Sequence, residues 1–266
     1  MLDYNIDFLN TINQNYNKMD CYSSLYYSSN ENFTDLFSCF DFKDKDVFSI
    51  VGSGDQALYF YNRGCRQVDL FDINIISIYY YYLRLWSIKY LGDLYPMISI
   101  SYINNVLSKV KPSDSKEENA YNYWKKLINY YEHDYELQSL FFFGNSSLPL
   151  YQRIYDVHKL NGIISSKCIN YTPMDITNPV NMSEKYDIIF VSNLSEYITS
   201  AKSFRIYSKN LDKLLKHDGI VIASNIMKEG PWDTERRILF NNYDYHDIKK
   251  NAGRAINPGY YYTKKG

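Results

Sequence analysis

The chain is poor in the residues that make covalent staples and metal sites, with four cysteines and four histidines in 266 residues. Cys21, Cys39, Cys65 and Cys168 lie far apart and form no C-x-x-C pair, so neither a zinc knuckle nor a disulfide framework is expected. Reduced thiols in a cytoplasmic protein fit this pattern best. His133 sits between Glu132 and Asp134, but three consecutive residues of a helix cannot converge on one ion, and a solvated face is expected there with no metal. His158, His217 and His246 read as capping or surface residues. An excess of either charge is also missing: 29 Lys and Arg stand against 30 Asp and Glu, for a net charge of −1. Without a basic stripe to neutralise phosphates, general nucleic-acid binding is not expected. The most apolar window, residues 73–90, carries Arg84 and Lys89 and is a poor spanning helix. The opening MLDYNIDFLN lacks the basic and apolar regions of a signal peptide. These absences lead us to expect a soluble chain, with peripheral lipid contact left open.

What is abundant is tyrosine, 30 residues in all, in a background rich in Asn, Ile and Lys that reflects codon bias more than function. The length suffices for a large buried core. Residues 1–46 form a polar, aromatic and partly helical arm. Within it Asn30-Glu31 reads as a helix cap before Phe33, the second reading being an arm that covers a ligand cleft.

Residues 47–74, VFSIVGSGDQALYFYNRGCRQVDLFDIN, organise the rest. Val47–Val51 is a short apolar strand, Gly52-Ser53-Gly54 a turn without a Cβ in its way, and Ala57–Tyr61 a helix that stops at Gly64. A second strand, Val68–Phe71, ends at Asp72, with Asn74 just beyond. In a doubly wound sheet this places the N–H groups of a helix N-terminus beside a ligand and the acid within reach of ribose hydroxyls, which describes a nucleoside-cofactor site.

Residues 75–161 read as a helical insertion. Ile75–Leu91 is apolar all round and expected to be buried. Ala120–Phe143 reads as one long helix with Trp124, Leu127, Ile128, Tyr131, Tyr135 and Leu137 inward. Alternation of strand and helix resumes at residue 162. A third strand, Ile163–Tyr171, leads to Asp175. A fourth, Tyr186–Val191, opens into Ser192-Asn193-Leu194-Ser195-Glu196-Tyr197. A helix follows that stops at Lys216–Gly219, then a fifth strand, Gly219–Asn225, and a C-terminal hairpin at residues 243–249 and 260–264. The domain reading is an arm (1–46), a Rossmann-like domain (47–74 and 162–266) and the insertion (75–161).

The polar features all fall at the C-terminal ends of the strands, where open α/β sheets bind ligands. A ribose acid after strand two, an acid after strand three suited to an adenine amine, and a closing hairpin resemble the class I methyltransferase fold, an α/β mostly parallel Rossmann-like sheet. Gln56 and Ala57 stand where a dinucleotide fingerprint needs its third glycine. More narrowly, Gly-Asp-Gln-Ala-Leu at 54–58, Asp72-Ile73-Asn74, Ile88-Lys89-Tyr90-Leu91 and Ser-Ser-Asn-Glu-Asn at 28–32 resemble a bacterial family of uncharacterised S-adenosylmethionine-binding proteins. That family is related to the betaine-lipid enzymes that transfer a 3-amino-3-carboxypropyl group. Ile50 departs from the acid that ordinary methyltransferases carry two residues before the first glycine.

The resemblance implies S-adenosylmethionine as cofactor, and methyl or 3-amino-3-carboxypropyl transfer to an unknown small-molecule acceptor. A non-catalytic nucleoside-binding module is the alternative, and an NAD-dependent oxidoreductase a weaker one. Gly52, Ser53 and Gly54 would cradle the methionine part, with Asp55 and Gln56 as polar neighbours. Asp72, with Asn74 beside it, would bind ribose and Asp175 the adenine amine. Ser192, Asn193, Glu196 and Tyr197 would face the reacting end, with Glu196 as general base or, equally, a helix N-terminal acid. Oligomeric state is not legible.

Overall fold

The computed structural model describes residues 25–29, 31, 33–142, 157–166, 170–182, 185–224, 243–248 and 259–264. Seven strands make one sheet: Asp46–Ile50 (β1), Gln67–Asp72 (β2), Asn170–Pro173 (β3), Tyr186–Phe190 (β4), Leu215–Ser224 (β5), Tyr243–Ile248 (β6) and Gly259–Lys264 (β7). Their spatial order is β3-β2-β1-β4-β5-β7-β6. The first five are mutually parallel, and β7 runs antiparallel between β5 and β6. This is the Rossmann-like class I methyltransferase sheet with its C-terminal hairpin. The order reverses between β1 and β4, and a crevice opens there at the strands' C-terminal ends.

Both faces of the sheet are covered, and the strand residues alternate accordingly. Val68, Leu70, Ile188, Phe190 and Ile222 enter the larger core, and Phe48, Phe71, Ile189 and Val221 the smaller. On the larger side pack helices Asp55–Asn62 (α1), Ile75–Leu91 (α2), Ile100–Leu107 (α3), Ser115–Tyr130 (α4), Asp134–Gln138 (α5) and Val157–Ser166 (α6). The smaller side is covered by Ala201–Leu214 (α7), through Phe204, Tyr207, Leu211 and Leu214. There Phe48 stacks between Phe71 and Tyr186, at centroid distances of 4.6 and 4.9 Å.

α2 is the centre of the larger side. Asn74 caps it by accepting the Ile76 N–H at 3.0 Å, and Gly92 ends it in a left-handed conformation. Its tyrosines and leucines are buried on nearly every side, as an all-round apolar helix requires. The Trp124 indole donates to the Tyr79 carbonyl at 2.8 Å and ties α4 across it. Among the described residues no helix is long and apolar enough to cross a membrane.

Several expectations are corrected. Residues 163–166 are helical, not the start of a strand: Leu160, Ile163 and Ile164 follow Val157 at helical spacing and pack into the larger core, which overrides the β preference of the isoleucines. Among the described residues the third strand is Asn170–Pro173. The long helix expected over 120–143 is broken at Tyr131, because His133 and Glu136 form a capping box that starts α5. That break turns Tyr135 outward, 67% exposed, instead of inward. The chain continues to the short strand Phe141–Phe142, which pairs in parallel with Leu25–Tyr26 of the arm. Lys216–Gly219 extends β5 and does not stop a helix, since α7 ends at Leu214.

One buried ion pair joins the layers. Arg84 of α2, fully buried, donates to Asp55 at 2.8 Å, to the Ser53 carbonyl at 2.8 Å and to the Leu94 carbonyl at 3.3 Å. Burial alone would lower the Arg84 pKa, but Asp55, Tyr95 and Tyr80 outweigh it and the net shift is upward. Replacing Arg84 by Met strands a buried carboxylate, and we expect a loss of about 3–5 kcal/mol in urea denaturation. Adding Asp55→Asn to that variant should recover part of the loss. A cost below about 1 kcal/mol for Arg84→Met would rule out the pair as a structural hub.

Candidate functional site

The crevice holds a cavity of about 450 Å³, within the range of small-molecule sites. Its floor is the turn after β1. Gly52 has φ +51° and Gly54 φ +82°, and a Cβ on Gly54 would lie 2.4 Å from the Tyr81 ring. Only glycine tolerates that conformation so close to α2. The Ser53 hydroxyl donates to Asp55 at 3.1 Å, and the Gly54 N–H closes the turn onto the Val51 carbonyl at 2.7 Å.

Gly52, Ser53 and Gln56 are on the cavity wall, whereas Gly54 and Asp55 are not. The Asp55 carboxylate is occupied by Arg84, by the Tyr95 hydroxyl at 2.9 Å and by the Ser29 N–H at 2.6 Å. Gly54 and Asp55 thus shape the turn from behind the cavity wall. Gln56 lines the cavity at 4% exposure, and its Oε1 has no hydrogen-bond partner. An unmet buried acceptor on a cavity wall is suited to a ligand donor.

Asp72, at the tip of β2, accepts the Gly52 N–H at 3.1 Å and the Asn74 N–H at 2.9 Å. Burial pushes its pKa up to about 6, against the pull of those amides. Asp175 follows β3 and folds into its own turn, accepting from Thr177 at 2.8 and 2.6 Å and from the Asn178 amide at 2.9 Å. It lines the cavity beside Met174 and Ile176, and Asn74 lines it from the start of α2.

Across the reversal point, Ser192 sits at the tip of β4 in a left-handed conformation, φ +52°. Such a conformation is uncommon for a residue with a Cβ and is held here by its surroundings. Its carbonyl accepts the Ser224 N–H at 3.0 Å, and its hydroxyl donates to Glu31 at 2.6 Å. The Asn193 amide donates to the Tyr197 hydroxyl at 3.3 Å, and both residues line the cavity. Glu196 belongs to the 3-10 segment Leu194–Tyr197, but its side chain lies outside the described residues.

In the sequence Glu31 reads first as part of a helix cap and is not among the candidate site residues. It is 1% exposed, on the cavity wall, and accepts from the hydroxyls of Ser192, Ser224 and Ser29. The competing reading of this stretch, an arm over a cleft, is the one that describes Glu31; Asn30 lies outside the described residues. Ser77 is also on the wall, one helical turn after Asn74, and that spacing could have found it.

No protein-family model matches the chain, and no curated protein does. Solved structures of similar shape include the N-methyltransferase NodS from Bradyrhizobium japonicum WM9 with S-adenosyl-L-homocysteine. It is 10% identical with TM-score 0.47, over 96% of this chain and 98% of that one. Another is a TehB-like SAM-dependent methyltransferase from Corynebacterium glutamicum, 10% identical with TM-score 0.46, over 98% and 99%. A third is the 1,6-didemethyltoxoflavin-N1-methyltransferase from Burkholderia thailandensis, 11% identical with TM-score 0.43, over 99% and 89%. The fold assignment itself rests on the strand order.

Because the folded-state pKa of Asp72 is raised to about 6 from 3.8, its stabilising form is the neutral acid. That contribution is complete below the unfolded value and is lost as pH rises through about 6, a difference of about 3 kcal/mol by pH 7. Urea denaturation of wild type and Asp72→Asn at pH 4.5, 5.5 and 7 should show wild type losing stability relative to the variant as pH rises. Parallel pH profiles would contradict the buried-carboxylate assignment.

Proposed function

We propose that this chain is an S-adenosylmethionine-dependent transferase acting on a small-molecule acceptor. The observation that carries this reading is the charge of the cavity: Glu31, Asp72 and Asp175 line it, and no Lys, Arg or His does among the described residues. S-adenosylmethionine is a net cation, its sulfonium and ammonium outweighing its carboxylate, whereas NAD brings a pyrophosphate. In a partly desolvated crevice a carboxylate-only wall favours the cation and disfavours the dinucleotide.

The residues present suit the cofactor. Asp72 would accept from the ribose hydroxyls, and the turn at Gly52-Ser53 leaves room for the amino-acid part. Gln56 offers its unmet Oε1 to a donor. Phe71, Met174 and Ile176 supply apolar wall for the purine, with Asp175 at its edge. Ser192, Asn193 and Tyr197 stand at the opposite end, toward the acceptor. When bound, the sulfonium activates each of its carbon substituents for displacement, and orientation within the site selects which one moves.

The likeness of residues 54–58 and 72–74 to the betaine-lipid-related family supports 3-amino-3-carboxypropyl transfer alongside methyl transfer. The general-base role of Glu196 rests on sequence alone. The dispersed cysteines, with no C-x-x-C pair among them, support a cytoplasmic location.

Calorimetry should show binding of S-adenosylmethionine and S-adenosylhomocysteine, with NAD much weaker; the reverse order would sink the proposal. Asp72→Ala should weaken cofactor binding by about 1.5–3 kcal/mol, the worth of hydrogen bonds to a charged group. Wild-type affinity should also fall as pH drops below about 6, where Asp72 takes up a proton. After incubation with cell extract, S-adenosylhomocysteine as product would identify methyl transfer and methylthioadenosine aminocarboxypropyl transfer. Neither product above a no-protein control would favour a binding module.

A further inference from the structure

Four buried side-chain polar atoms lack a hydrogen-bond partner among the described residues, and of these Gln56 Oε1 alone belongs to a residue of the cavity wall. Folded proteins leave few such atoms, and one beside a cavity points to a donor that the ligand brings. Gln56 stands in the first turn of α1, and its amide lies against the glycine turn: Nε2 is 3.1 Å from where a Cβ on Gly52 would stand. Gly52, without a Cβ, leaves the amide free on that side to turn about its last side-chain bond, a soft torsion that exchanges Oε1 and Nε2. The acceptor can therefore reach the space beside Gly52, which lines the cavity.

Other acceptors of the turn are engaged. The Val51 carbonyl takes the Gly54 N–H at 2.7 Å, the Gly54 carbonyl the Leu58 N–H at 3.3 Å, and the Ser53 carbonyl the Arg84 guanidinium at 2.8 Å. Ile50, also on the wall, has no polar side-chain atom. The donors of S-adenosylmethionine are its adenine amine, its ribose hydroxyls and its α-ammonium. In the reading above the amine belongs with Asp175 and the hydroxyls with Asp72, at the tips of β3 and β2. The α-ammonium is the donor left for the turn after β1.

Resting on the transferase reading above, we propose that the Gln56 side-chain carbonyl holds the α-ammonium of the cofactor and selects for a cofactor that carries a free α-amino group. The hydrogen bond is charge-assisted. Its donor comes with the ligand, and without it the acceptor is buried uncompensated. Gln56 thus costs stability and contributes to binding, and the two effects separate in a variant. A nucleoside without the amino-acid part gains nothing from this contact, so methylthioadenosine would leave more readily than S-adenosylhomocysteine.

The test compares S-adenosylhomocysteine, its desamino analogue, in which hydrogen replaces the α-ammonium, and methylthioadenosine, which lacks the whole amino-acid part. By calorimetry at pH 7.5, wild type should prefer S-adenosylhomocysteine to the desamino analogue by about tenfold or more, the weight of a hydrogen bond to a charged group. In Gln56→Met, which keeps the length and removes the acceptor, that preference should shrink to within about threefold, while methylthioadenosine binds as it does to wild type. The variant also removes an unmet buried carbonyl, so it should unfold at an equal or higher urea concentration than wild type. A preference retained in Gln56→Met would overturn the inference, as would equal weakening of all three ligands. A clear fall in the urea midpoint would show that the amide serves the fold and would overturn it too. Gln56→Glu puts a charge in the same place and should widen the wild-type preference by about threefold or more; an unchanged preference there counts as refutation. Wild type binding all three ligands equally would leave the cofactor reading and remove this inference, whereas wild type binding none would remove the cofactor reading itself.

Discussion

The contact between Asp55 and Arg84 is the constraint from which the site follows. Neither side chain reaches water, and a pair in that position is tolerable only when every remaining donor and acceptor is met. The structure meets them with four separate segments: the glycine turn through Ser53, the α2–α3 connection through Leu94 and Tyr95, helix α2 through Arg84, and the arm through Ser29. The turn that floors the cavity is therefore held from behind by a charge that does not line it. The same carboxylate sets where the arm lies, and hence where Glu31 enters the crevice.

With that turn in place, strand order divides the cavity into two chemically different halves. On the β2–β3 side, Asp72 is buried and served only by backbone amides, which leaves a carboxylate whose charge is costly until further donors arrive. Ribose hydroxyls would supply them. On the β4–β5 side, the left-handed Ser192 brings its hydroxyl to Glu31 and its carbonyl to Ser224. Local backbone strain at the strand tip is offset by the network it completes. One half thus presents a buried acid served by backbone amides, and the other a network of hydroxyls around a carboxylate.

Much of this was legible in the residues themselves. Gly52, Ser53, Gln56, Asp72, Asn74, Asp175, Ser192, Asn193 and Tyr197 all line the cavity because each follows a strand, and the alternation of strand and helix can be read from apolar periodicity. Gly54 and Asp55 belong to the same motif but serve the turn instead, since a motif specifies a local path and not which side of it a ligand occupies. Residues 163–166 read as strand because a run such as Gly-Ile-Ile-Ser-Ser carries β preference locally, and only contacts with the larger core extend the helix through them. Tyr135 faces solvent because a capping box over residues 133–136 interrupts an otherwise continuous helical pattern.

The sequence by itself determined the class of the sheet, the glycine turn and the acids at the strand tips, because these depend on short-range periodicity and on glycine's access to positive φ. Tertiary structure alone decided the place of Glu31, which comes within reach of Ser192 and Ser224 across separations of 161 and 193 residues. No local pattern encodes such a meeting. It depends on the buried Asp55–Arg84 pair holding the arm, and that contact exists only once the layers have packed.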